Sequence, residues 1–189
     1  MAKVKIAVVV GSNRRESINA KLAHALARLG SEQAEFNFVS IGELPLYNQD
    51  LEGELPPSVV RFKAEIAAAD GLLFVTPEHN RSIPAVLKNA IDWGARPYGR
   101  NSWNGKPAAI TGTSPGALGA ALAQVHLRQI LGTLGVLVMG GEAYISFKSG
   151  VLDSNGNITD ESTRGFLKAF VDQFATFAGR LSVPQVAAA

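Results

Sequence analysis

Apolar positions recur along this chain at two periods, and the two periods take turns. Val4–Val10 is a β-branched run, the pattern of a central parallel strand buried on both faces. Ile18–Leu29 switches to helical spacing, with Ile18, Leu22, Ala25, Leu26 and Leu29 on one face. Ala34–Ile41 returns to alternation, with Phe36 and Phe38 on the same side. A polar, proline-containing connection, Gly42–Pro57, leads to a helix over Ser58–Ala69 and a buried strand over Gly71–Thr76. The next helix, Ile83–Gly94, carries Pro84 in its first turn, a favoured place for proline. A strand over Pro107–Gly112 and a long helix over Ala117–Leu134 follow. The last strand region comes in two parts, Val136–Met139 and Ala143–Ile145. The closing helix, Thr163–Leu181, sets Phe166, Phe170, Phe174 and Phe177 along one side, and Ser182–Ala189 is expected to fray.

This alternation predicts an α/β fold: a doubly wound, five-stranded parallel sheet with helices on both faces and right-handed crossovers. The chain has 189 residues, enough for one well-cored domain over 1–181 and too few for two. Ligands on such sheets sit beyond the carboxyl ends of the strands, near the switch point. The loops on that edge are therefore the ones to inspect. The first strand ends in Gly11-Ser12-Asn13-Arg14-Arg15-Glu16-Ser17 and the third in Pro77-Glu78-His79-Asn80-Arg81-Ser82-Ile83-Pro84. The fourth ends in Thr113-Ser114-Pro115-Gly116-Ala117-Leu118-Gly119. All three are rich in glycine, proline and donors.

The first loop is the most telling. Ser12, Asn13, Arg14, Arg15, Ser17 and Asn19 crowd hydroxyl, amide and guanidinium donors where a helix begins. A helix N-terminus favours an anion, and arginine's planar fork fits phosphate oxygens. Capping alone needs one such residue, so the segment reads as a phosphate cradle. It lacks G-x-G-x-x-G and G-x-x-x-x-G-K-[ST]; the Gly105-Lys106 pair runs into Pro107. A phosphate monoester fits better than a pyrophosphate or triphosphate.

Composition narrows the chemistry. A net charge of +2 and the lack of a basic run with interleaved aromatics argue against a nucleic-acid partner. No apolar stretch approaches the ~18 residues of a membrane span. There is no cysteine, which removes disulfides and thiol nucleophiles and suits a cytoplasmic protein. His24, His79 and His126 show no zinc-ligand spacing, so no metal is expected. No nucleophile–base pair stands out either. Ser114 precedes a proline, and Asp70 reads as a turn residue at the opposite edge from Glu78. A phosphate loop without acid–base machinery points to a cofactor that carries the chemistry.

The segments GSNRRESIN, VTPEHNRSIPAVLKNAIDW and TGTSPGALGAALAQVHLRQIL together resemble the NADPH-dependent FMN reductase family. Within it, the chain is similar to the soluble quinone, chromate and ferric reductases, from about Lys3 to about Leu181. The resemblance implies a flavodoxin-like fold, FMN as cofactor and NAD(P)H as co-substrate. Hydride would pass through bound FMN to a small-molecule electron acceptor by a ping-pong route. It also implies a homodimer or homotetramer; Arg128 and Glu142 match positions that relatives use in a subunit interface. Carried over by position, Ser12, Arg14, Ser17 and Asn19 would hold the FMN phosphate. Pro77, Glu78, His79 and Asn80 would line the flavin, with Ser82 nearby, and Ser114, Pro115 and Gly116 would supply the third loop. His79 stands where relatives usually have tyrosine. Trp93 and Trp103 are expected in packing or an interface, with Tyr98 near a neighbouring subunit. The alternative reading is a flavodoxin-like electron carrier with little NAD(P)H turnover. Such carriers tend to be acidic, and Arg14 with the net charge of +2 favours the enzyme.

Overall fold

The computed structural model describes residues 3–148 and 150–182. The tail expected over 182–189 lies outside the described residues from 183 onward. In chain order the elements are β1 (Val4–Val10), α1 (Ile18–Gly30), β2 (Ala34–Val39), α2 (Pro57–Ala67) and β3 (Gly71–Val75). Next come α3 (Ala85–Ala95), β4 (Pro107–Ser114), α4 (Ala121–Thr133), β5 (Leu137–Val138), β6 (Tyr144–Ser146) and α5 (Glu161–Leu181).

The strands lie in the order β2-β1-β3-β4-β5, all paired in parallel, the flavodoxin-like order. Val8 of β1 sits between Phe38 of β2 and Leu73 of β3. The fifth position is a broken strand. β5 pairs with the base of β4 at Pro107 and Ala108, while β6 pairs with its tip at Gly112–Ser114. Arg128 bridges the break from α4, donating to the carbonyls of Met139 at 2.9 Å and Gly141 at 2.6 Å. Its guanidinium is thus engaged within its own chain.

Side chains alternate across the sheet with a period of two, so each strand feeds both faces. Ile6, Val8, Leu73, Val75 and Ala109 pack under α1 and α5. Ala7, Val9, Leu72, Phe74, Ala108 and Ile110 pack under α2, α3 and α4. Both tryptophans belong to this second layer. Trp103 meets Phe62 edge-to-face and Phe74 at a tilt, and donates to the carbonyl of Ile91 at 2.9 Å; Trp93 donates to that of Pro45 at 2.7 Å. Burying side chains of this size contributes roughly 1.5–3 kcal/mol each, which holds them inside rather than at an interface. Tyr98, by contrast, is 91% exposed.

Most element boundaries shift by one or two residues from the sequence expectation, and the start of α4 shifts most, at the ligand edge. β4 runs on to Ser114, and α4 begins at Ala121 rather than at 117. Gly119 and Ala120 have φ of +51° and +63°, a left-handed pair that no α-helix accommodates. Asp70 is a turn residue at the far edge as expected, accepting from the Lys5 amide at 2.8 Å. Among the described residues, no helix is long and apolar enough to cross a membrane.

Candidate active site

β1 leads to α1 on one face of the sheet and β3 leads to α3 on the other. Their carboxyl ends therefore flank a switch point, where the chain opens a crevice. Three loops rim it.

The first loop, Gly11–Ser17, is tied at its base by the Gly11 amide donating to Val75 at 2.9 Å. Ser17 caps α1, its hydroxyl oxygen accepting from the Ala20 amide at 3.2 Å. The amides of Ser12, Asn13, Arg15, Glu16 and Ile18 have no partner among the described residues. Arg14 and Arg15 are exposed and in no ion pair among the described residues, whereas Glu16 is neutralised by Lys21 at 2.8 Å. That bond is the main cause holding the Glu16 carboxyl below its ordinary value. The loop thus offers free N–H groups, hydroxyls and two free guanidinium groups at the positive end of α1.

Asn19 is placed differently from the expectation. It is 1% exposed, and its amide is spent on β4: Nδ2 donates to the Thr113 carbonyl at 3.0 Å, and the Thr113 amide donates to Oδ1 at 2.9 Å. It stands behind the cradle and fastens it to the strand that feeds the third loop.

The second loop is a tight hairpin. His79 and Ser82 exchange backbone bonds of 2.9 and 3.0 Å around Asn80 and Arg81, whose φ values are +49° and +67°. The ring of His79 and the side chain of Asn80 are exposed. Ser82 Oγ meets His126 Nδ1 of α4 at 3.2 Å. Glu78 is committed to α4: its Oε2 accepts from the amides of Leu122 and Ala123 at 3.0 and 3.2 Å. The N-cap residue of α4, Ala120, offers no side chain for this. A carboxylate from a neighbouring loop does the capping instead, where the helix dipole favours a negative charge.

In the third loop Pro115 and Gly116 are exposed, and Ser114 is half-buried beside them. The amides of Gly116, Ala117 and Leu118 have no partner among the described residues. A Cβ at Gly116 would meet only Ser114 Oγ at 3.7 Å, so packing does not fill the space above it. Gly112 is different, since a side chain there would strike the Thr76 carbonyl. Unfilled space over free amides in one loop, and a cationic cradle for one phosphate in another, suit a flat ring on a phosphorylated chain.

The comparisons with known proteins agree over almost the whole chain. The sequence model of the NADPH-dependent FMN reductases matches residues 4–150. The chain belongs to the NADPH-dependent FMN reductase family. It is 53% identical over 175 residues to a 2-hydroxy-1,4-benzoquinone reductase of a Burkholderia species, covering 92% of this chain and 96% of that protein. It is 51% identical over 174 residues to a quinone reductase of Pseudomonas putida, covering 91% and 93%. Among solved structures, FerB of Paracoccus denitrificans, a flavoenzyme NAD(P)H:(acceptor) oxidoreductase, superposes with a TM-score of 0.92 at 47% identity, over 95% of this chain and 100% of that one. The chain is an FMN-dependent NAD(P)H:acceptor oxidoreductase.

Proposed function

We propose that the FMN phosphate lies in the Ser12–Ser17 cradle, held by Ser12, Arg14, Ser17 and the free loop amides. The observation that carries this is the cluster, at the N-terminus of α1, of amides and arginines without hydrogen-bond or ion-pair partners among the described residues. Asn19 supports the cradle through Thr113 rather than touching the phosphate. Pro77, His79, Asn80 and Ser82 border the flavin on one side, with Glu78 holding that loop to α4. Ser114, Pro115 and Gly116 border it on the other, within a single domain over residues 1–181.

Bound FMN would supply the hydride-accepting and electron-transfer chemistry between nicotinamide and acceptor. The residues of the chain bind, orient and shield. The acceptor is a quinone, and chromate and ferric chelates serve as well; relatives at 51–53% identity carry quinone reductase names. The open crevice suits a ping-pong order, in which NAD(P)⁺ leaves before the acceptor enters. The protein works in the cytoplasm as a homodimer or homotetramer.

The deciding experiment reconstitutes the protein with FMN and mixes it anaerobically with NADPH or NADH in a stopped-flow instrument. Flavin absorbance is expected to fall, and to return when benzoquinone is added. A protein that binds no FMN, or whose flavin stays oxidised with both donors, overturns the reading.

A further inference from the structure

We propose that Arg81, at the tip of the second loop, receives a phosphate group of the dinucleotide co-substrate. It then sets affinity for NAD(P)H separately from affinity for FMN. The inference rests on the FMN site proposed above.

Arg81 stands where glycine is the natural occupant. Both central residues of the His79–Ser82 hairpin have positive φ, a two-residue turn built for Asn-Gly. A β-carbon is disfavoured in this region. Backbone needs therefore do not explain an arginine here, and attention falls on its side chain. The side chain is 67% exposed, and its one ion pair among the described residues is with Glu78 Oε1 at 3.4 Å. Glu78 is itself committed, because its other oxygen caps α4. Arg81 is left with most of its donors free.

Apart from Glu78, the loops that share this edge are short of free negative charge. The third loop, from Ser114 to Ala120, has no charged residue. In the first loop, the one carboxylate, Glu16, is taken by Lys21. Arg14 and Arg15 belong to the cradle of the other phosphate. A largely exposed planar guanidinium, with most of its donors free, on a loop that rims this edge suits an oxyanion of the incoming substrate. The co-substrate of this family is a polyanion whose phosphates are not those of FMN.

The test uses Arg81→Gly, which removes the cation and relieves the left-handed backbone, with Arg81→Lys beside it. FMN-loaded, oxidised protein is titrated calorimetrically with NADP⁺ and with NAD⁺. Arg81→Gly is expected to keep its FMN and its thermal midpoint while losing about 10- to 150-fold in affinity for NADP⁺. Arg81→Lys is expected to recover part of that loss. A loss confined to NADP⁺ identifies the 2′-phosphate, and an equal loss for NAD⁺ identifies the pyrophosphate. Both dinucleotides binding Arg81→Gly within twofold of the parent overturns the proposal. So does a variant that sheds FMN, because Arg81 would then serve the cofactor. A parent that holds FMN yet binds neither dinucleotide overturns this inference and leaves the FMN site standing.

Discussion

Asn19 and Thr113 exchange two hydrogen bonds, at 2.9 and 3.0 Å, and so join the start of α1 to the end of β4. The first loop, the proposed phosphate cradle, and the third loop are thereby tied together. Asn19→Ala strands the Thr113 amide and carbonyl in a buried site. A loss of about 2–4 kcal/mol in unfolding free energy is expected, measured by urea denaturation. FMN affinity should fall as well, although Asn19 does not face the crevice. Unchanged stability would mean that water replaces the pair without cost.

Glu78 makes the second tie. Glu78→Ala leaves the Leu122 and Ala123 amides without their acceptor and removes a charge from the N-terminus of α4. The expected cost is about 1–3 kcal/mol in stability, with FMN affinity changed less than by Arg14→Ala. Chemical denaturation and flavin fluorescence titration check the two quantities. A flavin contact would reverse their order.

Arg14→Ala is expected to weaken FMN binding by about 10- to 150-fold and leave the fold intact, the effect of one charge-assisted hydrogen bond. Arg15→Ala should do less, because the position matching the family's arginine is Arg14. Fluorescence titration of apoprotein with FMN measures both. Equal, small effects would move the phosphate elsewhere.

Acid should loosen the connection between β2 and α2. The Glu52 carboxyl is held below its ordinary value of 4.5, first by the Arg96 guanidinium at 2.6 Å and then by the Tyr47 hydroxyl at 2.6 Å. The folded state binds this proton less readily than the unfolded chain. The contribution to stability is complete above the unfolded pKa and is lost as pH falls through the folded one. Glu52→Gln should flatten the fall in denaturation midpoint below about pH 4.5. A variant curve parallel to the parent's would contradict this.

The outer face of α4 carries Leu122, 39% exposed, and Val125, 49% exposed, beside Leu118. An apolar stripe of this kind suits contact with a second copy. Light scattering at micromolar concentration should give two or four times the 19.9 kDa chain mass. Val125→Glu is expected to lower it, and a monomeric parent would sink the idea.

The sequence was most legible where local chemistry decides. β1 occupies Val4–Val10, as its run of β-branched residues predicts, and the donor-rich loop after it does open a helix. Asn19 and Glu78 were legible as polar residues near the site, but their partners, Thr113 and the α4 amides, lie 94 and 44–45 residues away. Nothing local separates a carboxylate facing a ligand from one capping a distant helix. His126 likewise gave no sign that Ser82 would be its partner. The late start of α4 was hidden because Ala120 adopts a left-handed backbone that alanine rarely visits. The tryptophans were ambiguous for a different reason: an indole suits a core and an interface alike.

The break in the fifth strand also bears on solubility. An exposed sheet edge with a long row of unpaired amides and carbonyls is a template for other chains, and short edge strands deny it length. Here that edge is cut into pieces of two and three residues, with Gly140, Gly141 and the Arg128 clamp between them. Replacing both glycines with valine would favour a continuous strand and hand the next molecule a place to dock its own backbone. The interruption therefore acts as a guard against fibrous self-association, on the side of the sheet farthest from β2.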